Sequence, residues 1–346
     1  MAMTRTLDGF VPAYLLQQAA LLNPNNTSLI DSIGITQRLS IAGRAPLHPA
    51  LRFAVLAPGQ GDRRIFDCKG LERLPGDKAR HEGDGEYAAF PLVNDAYQFH
   101  GDVRRFLLEV LKRNSLDGKG LDLIGSCNYG KGYNNAFFNQ RQMVYGNGDG
   151  VIFAKFIIRS VIGHEMAHGV THHTSGLEYQ DESGALNEHF SDVIGVLVDQ
   201  FCDNVTSAAH HWLVGPGLFT DQVKGKALRS MIEPGTAYDD PKLGKDRQPA
   251  HMKDKFTGWA DNGGVHINSG IPNRAFALFA KAVGGYAFER PLAIWYATNC
   301  GEDRVGANAS FQDFADKTMV HCATIAPRQK NNLKDAWGEV GITVKA

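Results

Sequence analysis

The sequence predicts an α+β chain with a β-rich N-terminal domain, a mainly helical C-terminal domain and a metal-binding helix at their junction. Three observations carry this expectation. The length, 346 residues, suits two domains. Residues 52–155 hold short alternating runs separated by turn residues, whereas residues 156–346 hold longer runs at helical period. Between the two patterns stands His164-Glu165-Met166-Ala167-His168, with histidines four apart. The expected division is an N-terminal segment over 1–50, a β-rich domain over 51–155 and a helical domain over 156–346.

Residues 8–22 read as a short amphipathic helix entered at Pro12. Asn23-Pro24-Asn25-Asn26 ends it, a second short helix spans Ser28 to Ile33, and Arg38 to Ala45 reads as extended. Pro46 and Pro49 mark a linker. Phe53 to Leu56 and Arg64 to Cys68 read as strands, with turns at Pro58-Gly59 and Lys69-Gly70. Asn94 to Asn114 reads as a helix, because Ala96, Phe99, Val103, Phe106, Leu107 and Val110 recur near helical period. Strands return at Leu121–Ile124 and Cys127–Tyr129, and an edge strand is expected within Lys131 to Asn139. Phe156 to Ile162 reads as a buried helix running into His164. A second helical segment opens at Gly184, with Ser183 as its cap. Four scaffold helices are expected at Arg274–Val283, Pro291–Cys300, Phe311–Ile325 and Leu333–Val340.

A hydrophobic content of 43% with 21% charged residues is ordinary for a soluble globular protein. The net charge of -1 gives no electrostatic case for nucleic acid or an anionic membrane, and no apolar run approaches a membrane span. Five cysteines (Cys68, Cys127, Cys202, Cys300, Cys322) form no C-x-x-C pair and read as reduced, mostly buried residues. Between Met1 and Asn23 the only basic side chain is Arg5, Gln17 and Gln18 interrupt the apolar stretch, and no A-x-A site follows. No secretory signal peptide is read there. The chain is expected to be cytoplasmic at synthesis; acting in the cytosol and leaving by a non-standard route both stay open.

Two histidines four apart on a helix lie on one face, so both imidazoles can reach one metal ion. Glu165 projects beside that ion without binding it, which is the H-E-x-x-H pattern of zinc hydrolases. Glu188, 20 positions after His168, supplies a carboxylate once the loop through Thr174, Ser175 and Gly176 turns the chain back. Asp192 lies one turn further and can hold the tautomer of a zinc-bound histidine. Two histidines, one carboxylate and an open fourth position make a catalytic zinc site rather than a closed structural one.

This constellation resembles the thermolysin-like metalloproteases, and the resemblance covers most of the chain. It implies a thermolysin-like two-domain fold with His164, His168 and Glu188 on one catalytic zinc, Glu165 as general base and Asp192 as partner of a zinc histidine. Tyr179 matches the tyrosine that helps hold the oxyanion. Asp261 to Gly270 matches a specific family segment in which His266 stabilises the tetrahedral intermediate and Asp261 orients it. Lys131 to Asn139 resembles the substrate-binding edge strand, where Asn135, the backbone of Ala136, and Phe137 meet the substrate; a plain edge strand is the alternative. Phe138 stands where many relatives have tryptophan. Arg229 would bond a substrate carbonyl, and with Phe153, Val161 and Leu228 it implies an apolar P1′ pocket.

Phe10-Val11-Pro12-Ala13-Tyr14-Leu15-Leu16 resembles a segment of protealysin-like precursors, whose short propeptide blocks the enzyme; Ala13 replaces a proline. An N-terminal arm packed as ordinary structure is the alternative. Three departures from the family stand out. Ser160, His211, Leu213 and Pro216 occupy positions where calcium-rich relatives place acids, Asp199 remains, and Lys226 takes another carboxylate position. Calcium prefers six to eight oxygen ligands, so calcium is expected to be absent or reduced. Ile157-Ile158 replaces a glycine pair, so hinge motion is not carried over. His172, His173 and His189 read as surface or core residues, and Glu178, Asp181 and Glu182 as a solvated loop. The expected activity is that of a zinc endopeptidase acting on peptide or protein substrates without an acyl-enzyme and made as a self-inhibited precursor. The alternatives are an aminopeptidase of the same zinc class, or a catalytically silent binding protein that keeps the fold.

Overall fold

The computed structural model describes residues 9–42 and 61–345. The strand expected at Phe53–Leu56, the Pro58-Gly59 turn and the linker prolines Pro46 and Pro49 lie outside the described residues. Helix α1 (Ala13–Leu22) starts directly after Pro12, whose φ of -65° is already set for a turn into helix. Helix α2 (Thr27–Ala42) runs past the expected end and overrides the extended reading of Arg38 onward. Its Ile35 and Leu39, four apart, pack on a cluster containing Tyr129, Tyr133 and Phe137, so tertiary burial prolongs the helix.

A five-stranded sheet follows, in the order β2-β1-β3-β5-β4, built from β1 (Arg63–Asp67), β2 (Asp77–His81), β3 (Leu123–Cys127), β4 (Ala136–Phe138) and β5 (Met143–Tyr145). β1 runs parallel to β3 and β3 to β5, while β2 and β4 are antiparallel edges. One strand, β3, replaces the two runs expected around it; Asn128, at φ 54°, turns the chain out of extended geometry before Tyr129. Helix α3 (Leu92–Glu109) covers the sheet on one face.

The apolar run ahead of His164 is only partly helical. Ile158 is extended (φ -130°, ψ 139°), and helix α4 covers Arg159–His172. Phe156 and Ile157 owe their character to burial rather than helical periodicity. Helix α5 (Asp181–Asp203) also begins elsewhere than expected: Gln180 is the cap, and Ser183 lies inside the first turn, donating its Oγ back to the carbonyls of Glu178 and Gln180 at 2.9 and 2.8 Å. Asp181 and Glu182 are therefore helical; Glu182 ion-pairs with Lys255 and accepts from the Phe311 N–H at 2.7 Å, so it is a tether rather than a solvated side chain. α4 and α5 pack intimately because glycines meet where they cross. A Cβ on Gly195 would come within 2.4 Å of the Ser160 carbonyl, and one on Gly163 within 3.0 Å of Gly195 Cα.

Two short antiparallel pairs link α5 to the remaining helices: β6 (Leu213–Val214) with β7 (Arg229–Ser230), and β8 (Asp239–Asp240) with β9 (Gly244–Lys245). Then come α6 (Ala260–Asn268), α7 (Gly270–Val283), α8 (Arg290–Cys300), α9 (Phe311–Ile325) and α10 (Lys330–Gly338). The result is the anticipated two-domain architecture, with a sheet-containing N-terminal part, a helical C-terminal part and α4 between them. All five cysteines are free. No helix among the described residues is long and apolar enough to cross a membrane.

The helical part is centred on Trp295. Its ring stacks on Trp337 at 5.9 Å and on Phe279 at 5.7 Å, and its Nε1–H donates to His189 Nε2 at 2.7 Å. His189 is thus a core residue, as read from its position, while His172 and His173 are exposed. Trp295→Ala removes a fully buried ring and is expected to lower the unfolding free energy by about 3–5 kcal/mol, read by urea denaturation. A loss below about 1 kcal/mol, as for tolerated volume-conserving swaps, would show that the stack repacks without its central ring.

Candidate active site

Helical periodicity puts His164 and His168 on one face of α4, and the close crossing brings Glu188 of α5 opposite them. His164 Nε2 lies 3.4 Å from Glu188 Oε2, and His168 Nε2 lies 3.3 Å from Glu188 Oε1. The two Nε2 atoms are 3.1 Å apart. Their tautomers follow from the neighbours. His164 Nδ1 meets the Asp192 carboxylate at 2.9 Å, which can only accept. His168 Nδ1 meets Asn187 Oδ1 at 2.8 Å, and the Asn187 amide is oriented by its Nδ2 donating to the Leu177 carbonyl at 3.2 Å. Both rings are oriented to hold a proton on Nδ1 and to turn Nε2 toward the same point.

Two converging imidazole nitrogens beside a carboxylate whose Oε2 has no hydrogen-bond partner make a buried cradle that a cation completes. Two imidazole nitrogens and one carboxylate suit zinc. Burial lowers the His164 imidazole, but Glu188 and Asp192 outweigh it and raise it to about 9, so a cation entering the cradle would displace a proton from its Nε2. Burial raises the Glu188 carboxyl, but His266, His164 and His168 outweigh it and hold it well below the usual range. Burial first, with Glu188 beside it, pushes Glu165 up to about 7, partly offset by His164, His266 and Arg229. The Oε1 of Glu165 has no partner, and the side chain is 1% exposed.

Tyr179 reaches the cradle from the loop before α5. Its hydroxyl donates to Glu188 Oε1 at 2.5 Å and lies 3.2 Å from His266 Nε2. His266 is set by an unusual backbone. Asp261, Asn262, Gly263 and Gly264 all have positive φ (57°, 49°, 81°, 86°), a full left-handed turn at the start of α6. Only glycine and short polar residues tolerate this. At Gly263 a side chain would be strained at this φ and its Cβ, 2.0 Å from Asp181 Oδ1, would displace the Asp181 carboxylate. The turn folds Asp261 back so that Oδ1 meets His266 Nδ1 at 2.7 Å while Oδ2 accepts from the His266 and Ile267 N–H groups at 2.8 and 3.1 Å.

The residues expected to line a substrate wall stand together, and the chain's own N-terminal segment lies along them. Phe10 N–H donates to the Ala136 carbonyl at 2.9 Å. Asn135 accepts from Val11 N–H at 2.8 Å and donates to the Val11 carbonyl at 2.9 Å. Arg229 donates to the Phe10 carbonyl at 3.2 Å. The Phe10 ring stands edge-on to His164 at 5.1 Å and lies against Gly215, beside Val161. Leu228 and Phe153 belong to the same buried cluster. Phe137 does not face this wall. Its ring points to the other side of β4, against Tyr129 and Tyr133, because strand alternation sends Ala136 and Phe138 toward α4 instead.

Several partners went unread in the sequence. Asn187 and Ser191 both touch His168 Nδ1, the latter at 3.2 Å, and Asn273 donates to Asp192 Oδ2 at 2.8 Å. A readable signal existed: Asn187, Glu188, Ser191 and Asp192 form a polar stripe on an otherwise apolar helix.

A histidine pair, a carboxylate and a free buried glutamate beside them define the site of a metallopeptidase. The thermolysin metallopeptidase catalytic domain matches residues 77–172, and the thermolysin metallopeptidase alpha-helical domain matches residues 175–342. The chain belongs to the thermolysin metallopeptidase family. It is 44% identical over 299 residues to an extracellular metalloprotease of Pectobacterium carotovorum subsp. carotovorum, covering 84% of each chain. It is 40% identical to protease PrtS of Photorhabdus sp. (strain Az29), covering 97% of this chain and 92% of that protein. Its structure is similar to the precursor of protealysin, a metalloproteinase from Serratia proteamaculans, with a TM-score of 0.84, 41% identity and coverage of 97% and 99% of the two chains.

Asn187→Ala frees the His168 ring from its orienting acceptor. It is expected to weaken zinc binding about 10–100-fold, measured by competition with a chromophoric chelator. Unchanged affinity would mean that Ser191 alone fixes the ring.

Proposed function

We propose that the chain is the self-inhibited precursor of a zinc-dependent endopeptidase that prefers a hydrophobic residue at P1′. One observation carries this reading: a stretch of peptide lies in the cleft with its main chain hydrogen-bonded to Asn135, Ala136 and Arg229 and an aromatic ring in front of His164. Main-chain hydrogen bonding to a sheet edge is one way peptides are held for recognition. The residue after the scissile bond is the one at Phe10, which supports an apolar P1′ pocket near Val161, Leu228 and Phe153. An aminopeptidase would need a site closed around a free amino group, whereas here chain continues on both sides of Phe10 and Val11.

His164, His168 and Glu188 are the proposed zinc ligands. Bound there, zinc supplies Lewis acidity toward a water and the substrate carbonyl. Glu165 takes the proton of the attacking water and passes it to the leaving nitrogen; its carboxyl, moved up by burial, suits proton transfer near neutrality. Tyr179, and His266 with a proton on Nε2, donate to the developing oxyanion. Asp261 and Asp192 hold His266 and His164 in orientation. Asn135 and the Ala136 carbonyl hold the substrate main chain, Arg229 bonds its P1′ carbonyl, and Phe137 contributes backbone alone.

The domain division proposed is 1–50 as propeptide, 51–155 and 156–346 as the two catalytic domains. The partners are peptide or protein substrates and the propeptide itself. Synthesis in the cytoplasm followed by export is the reading favoured by the Pectobacterium relative, whose name describes it as extracellular. Calcium is proposed to be dispensable. Arg159 donates to Asp199 at 2.8 Å and to Asp203 at 2.6 Å, so a guanidinium already neutralises these acids.

Intact mass followed over time for the purified chain, beside Glu165→Ala, tests the central claim. The wild type is expected to lose roughly its first fifty residues while the variant stays whole. If both stay whole under conditions where the zinc is bound, self-processing is wrong. For calcium, the unfolding midpoint of the Glu165→Ala protein is expected not to move when EGTA is added at a level that leaves zinc in place. A fall of about 4 °C or more, the shift that roughly 1 kcal/mol produces in a small domain, would restore a structural calcium site.

A further inference from the structure

Arg247 is an exposed cation without an ion-pair partner among the described residues, yet its backbone is held firmly. Asp246 before it accepts from the N–H groups of Gly235, Ala237 and Gln248 at 3.1, 3.2 and 3.0 Å. Gln248 after it donates to the His266 carbonyl at 2.8 Å and to Ser269 Oγ at 3.0 Å. The loop that carries Arg247 is thus fastened to the helix that carries His266.

The guanidinium stands between two rings. Its carbon lies 5.5 Å from the centroid of Phe256 and 5.1 Å from that of Tyr14. Phe256 is a fixed wall, since its N–H and carbonyl are both bonded to the Asn268 amide at 2.9 Å. Tyr14 is the movable partner, contributed by α1 of the N-terminal segment. Its ring is half-buried against the core, and its phenol is pushed well above the usual range, by burial first and then by Tyr238, Asp261 and Asp246. A planar cation backed by one aromatic face and covered by another is a cation–π arrangement.

We infer that Arg247, backed by Phe256, is a subsite for an aromatic side chain on the leaving-group side of the scissile bond, filled by Tyr14 in the precursor. The inference rests on the protease reading only for what occupies the site after the segment departs. Tyr14 follows Phe10 by four positions, past bends at Phe10 and Val11 and into the first turn of α1. The substrate class is therefore a peptide with tyrosine or phenylalanine beyond the P1′ residue by the four positions that separate Tyr14 from Phe10.

The test is a double-mutant cycle in the full chain carrying Glu165→Ala, which needs no activity. Tyr14→Leu and Arg247→Met are made singly and together, and hydrogen exchange is read at the Phe10 and Val11 amides, which the cleft protects. Each single change is expected to speed exchange about 2–30-fold, with the double no faster than the faster single. Exchange factors that multiply would overturn the subsite, whatever the mass experiment shows. A second arm uses the enzyme that the full chain releases by its own processing. Peptides differing only by tyrosine or leucine at that downstream position are compared by kcat/KM. The tyrosine preference is expected to fall toward unity in Arg247→Met. A preference that survives intact would confine the site to holding Tyr14 and remove the substrate claim.

Discussion

Four elements of the structure meet on the carboxylate of Asp192. Its Oδ1 accepts from His164 Nδ1 on α4 and from Arg229 NH2 on β7 at 2.9 and 2.7 Å; its Oδ2 accepts from Arg229 Nε and from Asn273 Nδ2 on α7 at 2.9 and 2.8 Å. A buried ion pair is costly unless every lone pair and proton is matched. Here four donors meet four acceptor positions. Burial raises the Asp192 carboxyl, but Arg229 and His164 outweigh it and keep it at about 2. One buried charge thereby sets the tautomer of a metal-facing histidine and the aim of the arginine that touches the Phe10 carbonyl. The cradle and the peptide wall are not independent constructions; a shift of α5 moves both.

Much of this was legible in the sequence, for a physical reason. The i, i+4 spacing of His164 and His168 fixes their common face whatever surrounds them, and Asp192 follows Glu188 by the same interval. The edge position of β4 was legible from the glycine turn and apolar run near Asn135. What stayed hidden depends on contacts between elements. Nothing local in Gly163 or Gly195 says that two helices cross there. The run Phe156–Ile162 is largely apolar, broken by Arg159 and Ser160, and a mostly buried extended lead-in carries the same composition as a buried helix. Ser183 has the chemistry of a cap, but the helix reaches back to Asp181 because Glu182 is tied to Lys255 and Phe311. α2 outruns its local signal because Ile35 and Leu39 find a partner surface more than ninety positions away. Phe137 was placed in the cleft by proximity to Asn135, where strand alternation turns it away.

The N-terminal segment is fastened at sites of unequal weight. Exposed pairs such as Arg38–Glu72 contribute little, because water and salt compete with them. The buried side chains Phe10, Val11, Leu15 and Leu16, together with the main-chain bonds to β4, supply most of the hold. Covalent linkage then raises the effective concentration of a peptide that need not bind tightly on its own. A segment that covers the cleft while attached can therefore leave once the connecting chain is cut, when the same contacts must be made at ordinary concentration.

Among the buried carboxylates around the cradle, hydrogen bonding separates those that hold other groups from those open to a ligand. At Asp192 every acceptor position is used, and at Asp261 both oxygens are engaged by His266 and its neighbour. These groups have nothing left to offer a ligand and serve to hold others still. Glu165 Oε1 and Glu188 Oε2 are equally buried and have no hydrogen-bond partner. Leaving a buried carboxylate oxygen unpaired costs free energy that a purely structural network would not retain. Both oxygens lie at the one place where the chain also turns two imidazole nitrogens inward. These two unmet carboxylate oxygens stand at the cradle, where a cation and the atoms it activates would supply the missing partners.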